Sequence, residues 1–170
     1  MRRIFSGLLA GALMLGLVAG PVAAAGGSKN IVDTAVAVNS SGPFAGQFDT
    51  LIAAVLAADP IVAKTLSGRG QFTVFAPTDA AFAKLGLNES NVGTLPKAAL
   101  TNILLYHVAR GERLAADVLD SSRIRMLNGD FVRQSGGVLT DAQGGKSTII
   151  VTDVRASNGV IHAIDSVLLP

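Results

Sequence analysis

The sequence of 170 residues predicts an α+β fold in one domain. Three observations carry that prediction. Helical periodicity dominates from Asn30 to His107. After Gly111 the chain breaks into short β-type segments separated by Asn-Gly and Gly-Gly turns. The strands are grouped late instead of alternating with helices, which separates α+β from alternating α/β architecture. The length favours one domain, and no internal repeat is present.

The first element is not expected to belong to the fold. Arg2 and Arg3 form a short positive start, an apolar run centred on Leu8 to Val18 follows, and Pro21 breaks it. Ala23, Ala24 and Ala25 then supply small residues before Gly26. That order is the pattern of a secretory signal, so residues 1–25 are read as a signal peptide and 26–29 as a flexible leader, with the domain over 30–170. The alternative is an uncleaved anchor, since Ile4 to Ser28 is uncharged and long enough to span a bilayer. Arg2-Arg3-Ile4-Phe5 also fits the twin-arginine export route.

The elements follow in order. Asn30 is placed to cap a helix carrying Ile31, Ala35 and Val38 on one face, with Asp33 at its third position. Asn39 to Gly42 ends it. Residues 48–58 predict a second helix with Phe48, Leu51, Ile52, Val55 and Leu56 as one apolar stripe. Asp59-Pro60 interrupts it, and Ile61 to Leu66 supplies a further short helix. Gln71 to Ala76 is a strand by its aromatic and β-branched content, stopped by Pro77. Thr78 caps a helix to Leu85, with Asp79 in its first turn beside the helix-start amides. Pro96 opens a helix to about His107 that buries Leu100, Ile103 and Leu104. Beyond Leu114 only strands are expected, around Ile124, Leu127, Phe131–Val132, Val138–Leu139, Thr148–Val154 and Val160–Ile164, with hairpin turns at Asn128-Gly129 and Asn158-Gly159.

Composition narrows the function. The full chain has 14 Lys and Arg against 12 Asp and Glu, and loss of Arg2 and Arg3 with the signal leaves 12 of each. A neutral domain does not carry the lasting basic surface that nucleic acid requires. There are no cysteines, so neither disulfides nor thiolate metal sites are available. With only two histidines, His107 and His162, no metal or other cofactor is expected. The remaining 145 residues bury roughly 70% of their unfolded surface, enough for a core to hold the fold alone.

Three motifs occur together. They are Thr73-Val74-Phe75-Ala76-Pro77-Thr78-Asp79-Ala80-Ala81-Phe82, Ile103-Leu104-Leu105-Tyr106-His107-Val108, and Asn158-Gly159-Val160-Ile161-His162-Ala163-Ile164-Asp165. In sequence and order they resemble the two conserved blocks and the central tyrosine–histidine motif of fasciclin domains, and the single-domain bacterial secreted form most of all. The resemblance runs from Asn30 to Pro170. It implies a compact wedge of helices packed on a β-sandwich-like sheet, and a role in adhesion or ligand binding without catalysis. One departure is Asn39 to Gln47, longer than the family's usual link between the first two helices.

The resemblance also assigns residues. Thr73, Phe75, Pro77, Thr78, Asp79, Phe82, Asn158, Gly159, His162 and Asp165 carry the fold signature. In animal members the tyrosine–histidine motif, here Tyr106 and His107, is credited with integrin binding, as is an aspartate–isoleucine pair matched by Asp153-Val154. From the residues alone, Tyr106 and His107 equally suit rings packed inward with satisfied polar atoms. Arg123 and Arg125 alternate at period two and share a strand face, a hint of an anionic ligand. His162 and Asp165 suggest a catalytic pair, but no nucleophile elbow accompanies them. The chain therefore reads as a non-enzymatic exported module, extracellular or in the cell envelope. It would bind a surface or matrix protein or polysaccharide through exposed loops or a sheet edge, with a monomer favoured and no membrane contact after cleavage. The alternative is a carrier of a small apolar ligand held between helices and sheet.

Overall fold

The computed structural model describes residues 29–170. The signal-peptide reading, and the leader reading apart from Lys29, lie outside the described residues. Fourteen short elements follow in a helix-rich half and a strand-rich half, as an α+β chain requires. Helix α1 (Ile31–Ser40) starts at Asn30, whose side chain accepts from the Asp33 amide at 3.0 Å. Helix α2 (Asp49–Ala57) and helix α3 (Pro60–Ser67) bend by 114° at the Asp59-Pro60 step. There Asp59 caps the Ile61 amide and Pro60 takes the first helical position, where its missing N–H costs nothing.

Strand β1 (Phe72–Pro77) is buried along its whole length. Helix α4 (Asp79–Ala83), a 3-10 turn at Val92–Thr94, helix α5 (Lys97–Tyr106) and strand β2 (Val108–Arg110) follow. Helix α6 (Ala115–Asp120) precedes strands β3 (Arg123–Arg125), β4 (Phe131–Ser135), β5 (Val138–Thr140), β6 (Lys146–Ala156) and β7 (Gly159–Ile164).

The strands form one mixed sheet in the order β2-β1-β7-β6-β5-β4-β3. Only β1 and β7 run parallel, with Phe75 opposite His162. The sheet curls until its outer strands meet at Ala109 and Met126, where the Leu127 amide donates to the Val108 carbonyl at 2.7 Å. Two cores result. Outside, Phe72, Val74, Ala76, Ile161 and Ala163 meet the helices. Inside the curl, Phe75, Tyr106, Ile124, Val132, Leu139, Ile164 and Leu168 pack together. Alternate residues of β1 and β7 serve alternate cores, because successive side chains of a strand point to opposite faces.

Two sequence expectations are corrected. The segment after Leu114 is helical, not a strand. Ala115 and Ala116 favour helix, Asp117 accepts from the Leu114 amide at 3.0 Å, and distant Asp153 accepts from the Ala115 amide at 2.8 Å. Asp79 bonds an amide at a helix start, but at α2 and not at its own helix. Its Oδ1 accepts from the Thr50 amide at 2.8 Å, while Thr78 caps α4. The long Asn39–Gln47 link folds on itself through the Gly46 amide and the Asn39 carbonyl, and Asn39 Oδ1 accepts from the Phe48 amide.

Candidate functional site

The fold-signature residues act as fasteners. Asn158 is buried, and its side chain joins three elements. Its Oδ1 accepts from the Ile31 amide at the start of α1, and its Nδ2 donates to the carbonyls of Leu66 and Gly68 at the end of α3. Gly159 has φ +147°, and a Cβ there would lie 1.9 Å from the Phe72 carbonyl oxygen, so no other residue fits. Thr73 Oγ1 donates to the Gly111 carbonyl and accepts from the Arg113 amide. Pro77 ends β1 opposite Ile164, and Phe82 packs into the outer core.

Tyr106 and His107 are both inside. The Tyr106 hydroxyl donates to the Phe131 carbonyl at 3.0 Å, and burial raises its pKa. His107 Nδ1 lies 2.8 Å from the Ile103 carbonyl and its Nε2 lies 3.0 Å from the Leu168 amide. These partners fix a neutral tautomer that donates from Nδ1 and accepts at Nε2. Burial pushes the imidazole down to about 4, against weaker upward influences of the Ile103 carbonyl and Asp141. Neither ring presents a polar atom to the surface.

His162 and Asp165 do not pair. His162 Nδ1 accepts from the Asp153 amide and Nε2 donates to the Arg113 carbonyl. Its ring lies 5.8 Å from that of Phe75. Asp165 accepts from the Thr148 amide at 2.8 Å. Burial works to raise its pKa, but that amide, Lys84, Ser166 and Ser147 outweigh it and hold the carboxyl below its ordinary value. All four imidazole nitrogens are bonded to backbone groups. Among the described residues no three His, Asp or Glu side chains converge to hold a metal.

Asp153 is exposed, at a bulged stretch of β6 with φ +60°. Its carboxylate is occupied by the Ala115 amide, and Val154 is half-buried against the outer core.

The exposed candidates that do converge are cations. Register places Arg123 opposite Arg133, Arg133 opposite Thr140, and Thr140 opposite Lys146. These four residues lie in one row across β3, β4, β5 and β6, on one sheet face. At about 4.8 Å per strand the row spans roughly 14 Å. Arg123 stacks on the Phe131 ring, with its guanidinium carbon 3.7 Å from the centroid, and Arg125 stands opposite Phe131. None of Arg123, Arg125, Arg133 and Lys146 forms an ion pair among the described residues. Asp130 and Asp141 border the same hollow. Asp141 is committed to the amides of Gln143, Gly145 and Leu169, and Asp130 accepts from Asn128. The sequence pointed to Arg123 and Arg125, but Arg133 and Lys146 join them only through strand register.

A second concavity opens between α1, α2 and the sheet. Its volume is about 230 Å³, and it runs from exposed Val36 and Leu56 to buried Val74 and Leu104.

The Fasciclin domain profile matches residues 46–170. Protein sll1483 of Synechocystis is 48% identical over 128 residues, covering 72% of this chain and 67% of that protein. The cell surface glycolipoprotein MPB83 of Mycobacterium bovis is 29% identical over 151 residues, covering 89% of this chain and 66% of that protein. A solved FAS1 domain pair from the insect cell adhesion molecule fasciclin I superposes with a TM-score of 0.63 at 19% identity, covering 84% of this chain and 51% of that one.

Proposed function

The chain belongs to the fasciclin domain family, and from that membership we propose that it is an exported adhesion or surface-binding module that recognises an acidic polymer of a cell surface or matrix. The observation that carries this reading is the row Arg123–Arg133–Lys146. Like charges directly opposite on a ladder destabilise a sheet. Here Arg123 and Arg133 stand opposite each other in register and neither forms an ion pair among the described residues, an arrangement that an anionic ligand relieves. A linear polyanion crossing the strands would meet a cation about every 5–10 Å, with Phe131 as a flat neighbour for a sugar ring. The insect protein's adhesive role and the mycobacterial protein's place on the cell surface agree with this reading. So does the signal-like amino terminus.

The test is binding of the exported protein to polygalacturonate, with neutral dextran as control, at low and high salt. Polygalacturonate should bind at roughly 0.05 M salt and release at roughly 0.5 M, because exposed charges are screened over a Debye length of a few ångströms there. Arg123→Gln, Arg133→Gln and Lys146→Gln together should weaken binding at least about tenfold while leaving the melting temperature unchanged or slightly raised. Binding that survives both high salt and the triple substitution refutes the row as the recognition surface.

A further inference from the structure

The cleft between α1 and α2 is built from residues that a surface helix would normally make polar. Val32 and Val36 of α1 face Ile52, Val55 and Leu56 of α2 across the opening, at spacings of three and four residues that hold them on one side of each helix. Leu56 is 80% exposed and Val36 is 43% exposed, so the mouth is apolar as well as the walls. Val62, Val74, Leu104 and Val108, all buried, form the floor. Among the lining side chains His107 alone carries polar atoms, and both of its ring nitrogens are already bonded to backbone.

We propose that this cleft is a binding site for a small neutral ligand with a hydrocarbon end, an acyl chain or a fused ring. The buried end can carry no charge and no hydrogen-bonding group, because nothing in the walls would satisfy it. Any polar head group stays at the mouth in water. The space of about 230 Å³ exceeds the roughly 150 Å³ that suffices for benzene in an apolar cavity. Depth excludes a flat occupant. The pocket reaches the buried floor, and the face of a second helix laid on the mouth would leave that floor empty. The site shares no residue with the cation row and does not depend on it.

The probe is N-phenyl-1-naphthylamine, a neutral fluorophore that brightens in apolar surroundings, added to the exported protein whose amino terminus has been read by mass spectrometry. Fluorescence should rise saturably to one probe per chain, and decanol should displace it. Ala35→Phe places a ring into the cleft, and Leu56→Asp puts a charge at the exposed mouth without touching the core. Each should weaken the probe at least about tenfold with an unchanged circular dichroism spectrum. Absence of saturable binding by the folded protein overturns the proposal, as does equal binding by both variants. A dimer that excludes the probe and is split by Leu56→Asp also overturns it, by assigning the cleft to a second copy.

Discussion

Acid should destabilise this fold chiefly through His107. The imidazole is buried and neutral, with an ordinary pKa of 6.5 lowered to about 4 by burial. A histidine lowered in this way binds protons more tightly when unfolded. Stability is therefore fully present above 6.5 and falls as the pH drops from 6.5 towards about 4, where the folded state begins to take up the proton too. At 1.36 kcal/mol per pH unit the loss between pH 7 and pH 4 is about 3 kcal/mol. That is a substantial fraction of the roughly 5–15 kcal/mol typical of a domain. Asp165, held below its ordinary value, contributes a loss of the same sign at lower pH. The comparison that isolates His107 is His107→Gln, which retains a donor for the Ile103 carbonyl and an acceptor for the Leu168 amide but does not titrate. Urea unfolding at pH 7 and pH 4 should show the unsubstituted protein losing about 3 kcal/mol more than the variant. At a slope of about 2 kcal/mol per molar, that is roughly 1.5 M of midpoint. Equal losses in the two proteins, or an NMR titration of His107 near 6.5, would refute the argument.

Four further substitutions test the fasteners. Gly159→Ala sets a methyl against the Phe72 carbonyl at 1.9 Å, in a conformation that side chains rarely adopt, and should abolish recovery of folded protein from the expression host. Asn158→Ala leaves the Ile31 amide and two carbonyls without their partner and should cost about 3 kcal/mol or more in urea unfolding. Asn158→Asp, which loses the donor and faces two carbonyls with charge, should cost more. Asp79→Ala removes the side-chain acceptor of the Thr50 amide at the start of α2 and should cost about 1 kcal/mol, with faster amide exchange at Thr50 as its specific mark.

The elements legible in the sequence are those whose signals are local. Asn30 and Thr78 each cap the helix that follows, Asp59-Pro60 separates α2 from α3, and Asn158-Gly159 turns the final hairpin. Helix α6 was not legible because six residues with one buried side chain show no period, and its second cap, Asp153, is 38 positions away. The cation row was half legible. Arg123 and Arg125 share a face by strand alternation, but bringing Arg133 and Lys146 alongside depends on three turns, and a shift of one residue in any of them would send a partner to the opposite face. The apolar stripe of α2 was legible as a stripe but not as two surfaces. Phe48 enters the core, Leu51 does so while also lining the cleft, and Ile52, Val55 and Leu56 wall the cleft. Whether an apolar side chain meets a neighbour or a void depends on how closely α1 approaches, and no local spacing encodes that.

That void has an energetic consequence which separates ligand binding from folding. Empty space lined by aliphatic groups costs about 24 cal/mol per Å³ when enclosed, so 230 Å³ would amount to about 5.5 kcal/mol. The mouth is open to water, which makes this figure a ceiling, yet even a fraction of it is large beside the stability of a domain. A chain shaped for folding alone would close the cleft with larger side chains, and Ala35 stands where one would go. Ala35→Phe should therefore stabilise the protein by about 0.5–2 kcal/mol as a cavity-filling change. Differential scanning calorimetry should register this as a rise of about 1–8 °C, at the 2–4 °C per kcal/mol expected for a domain of this size. The same variant should lose the hydrophobic probe, so stability and binding should move in opposite directions. If Ala35→Phe lowers the melting temperature while circular dichroism stays native, the space beside Ala35 is already filled by its neighbours. The cleft would then be closed in solution, and the inference of a hydrocarbon ligand would fall with it.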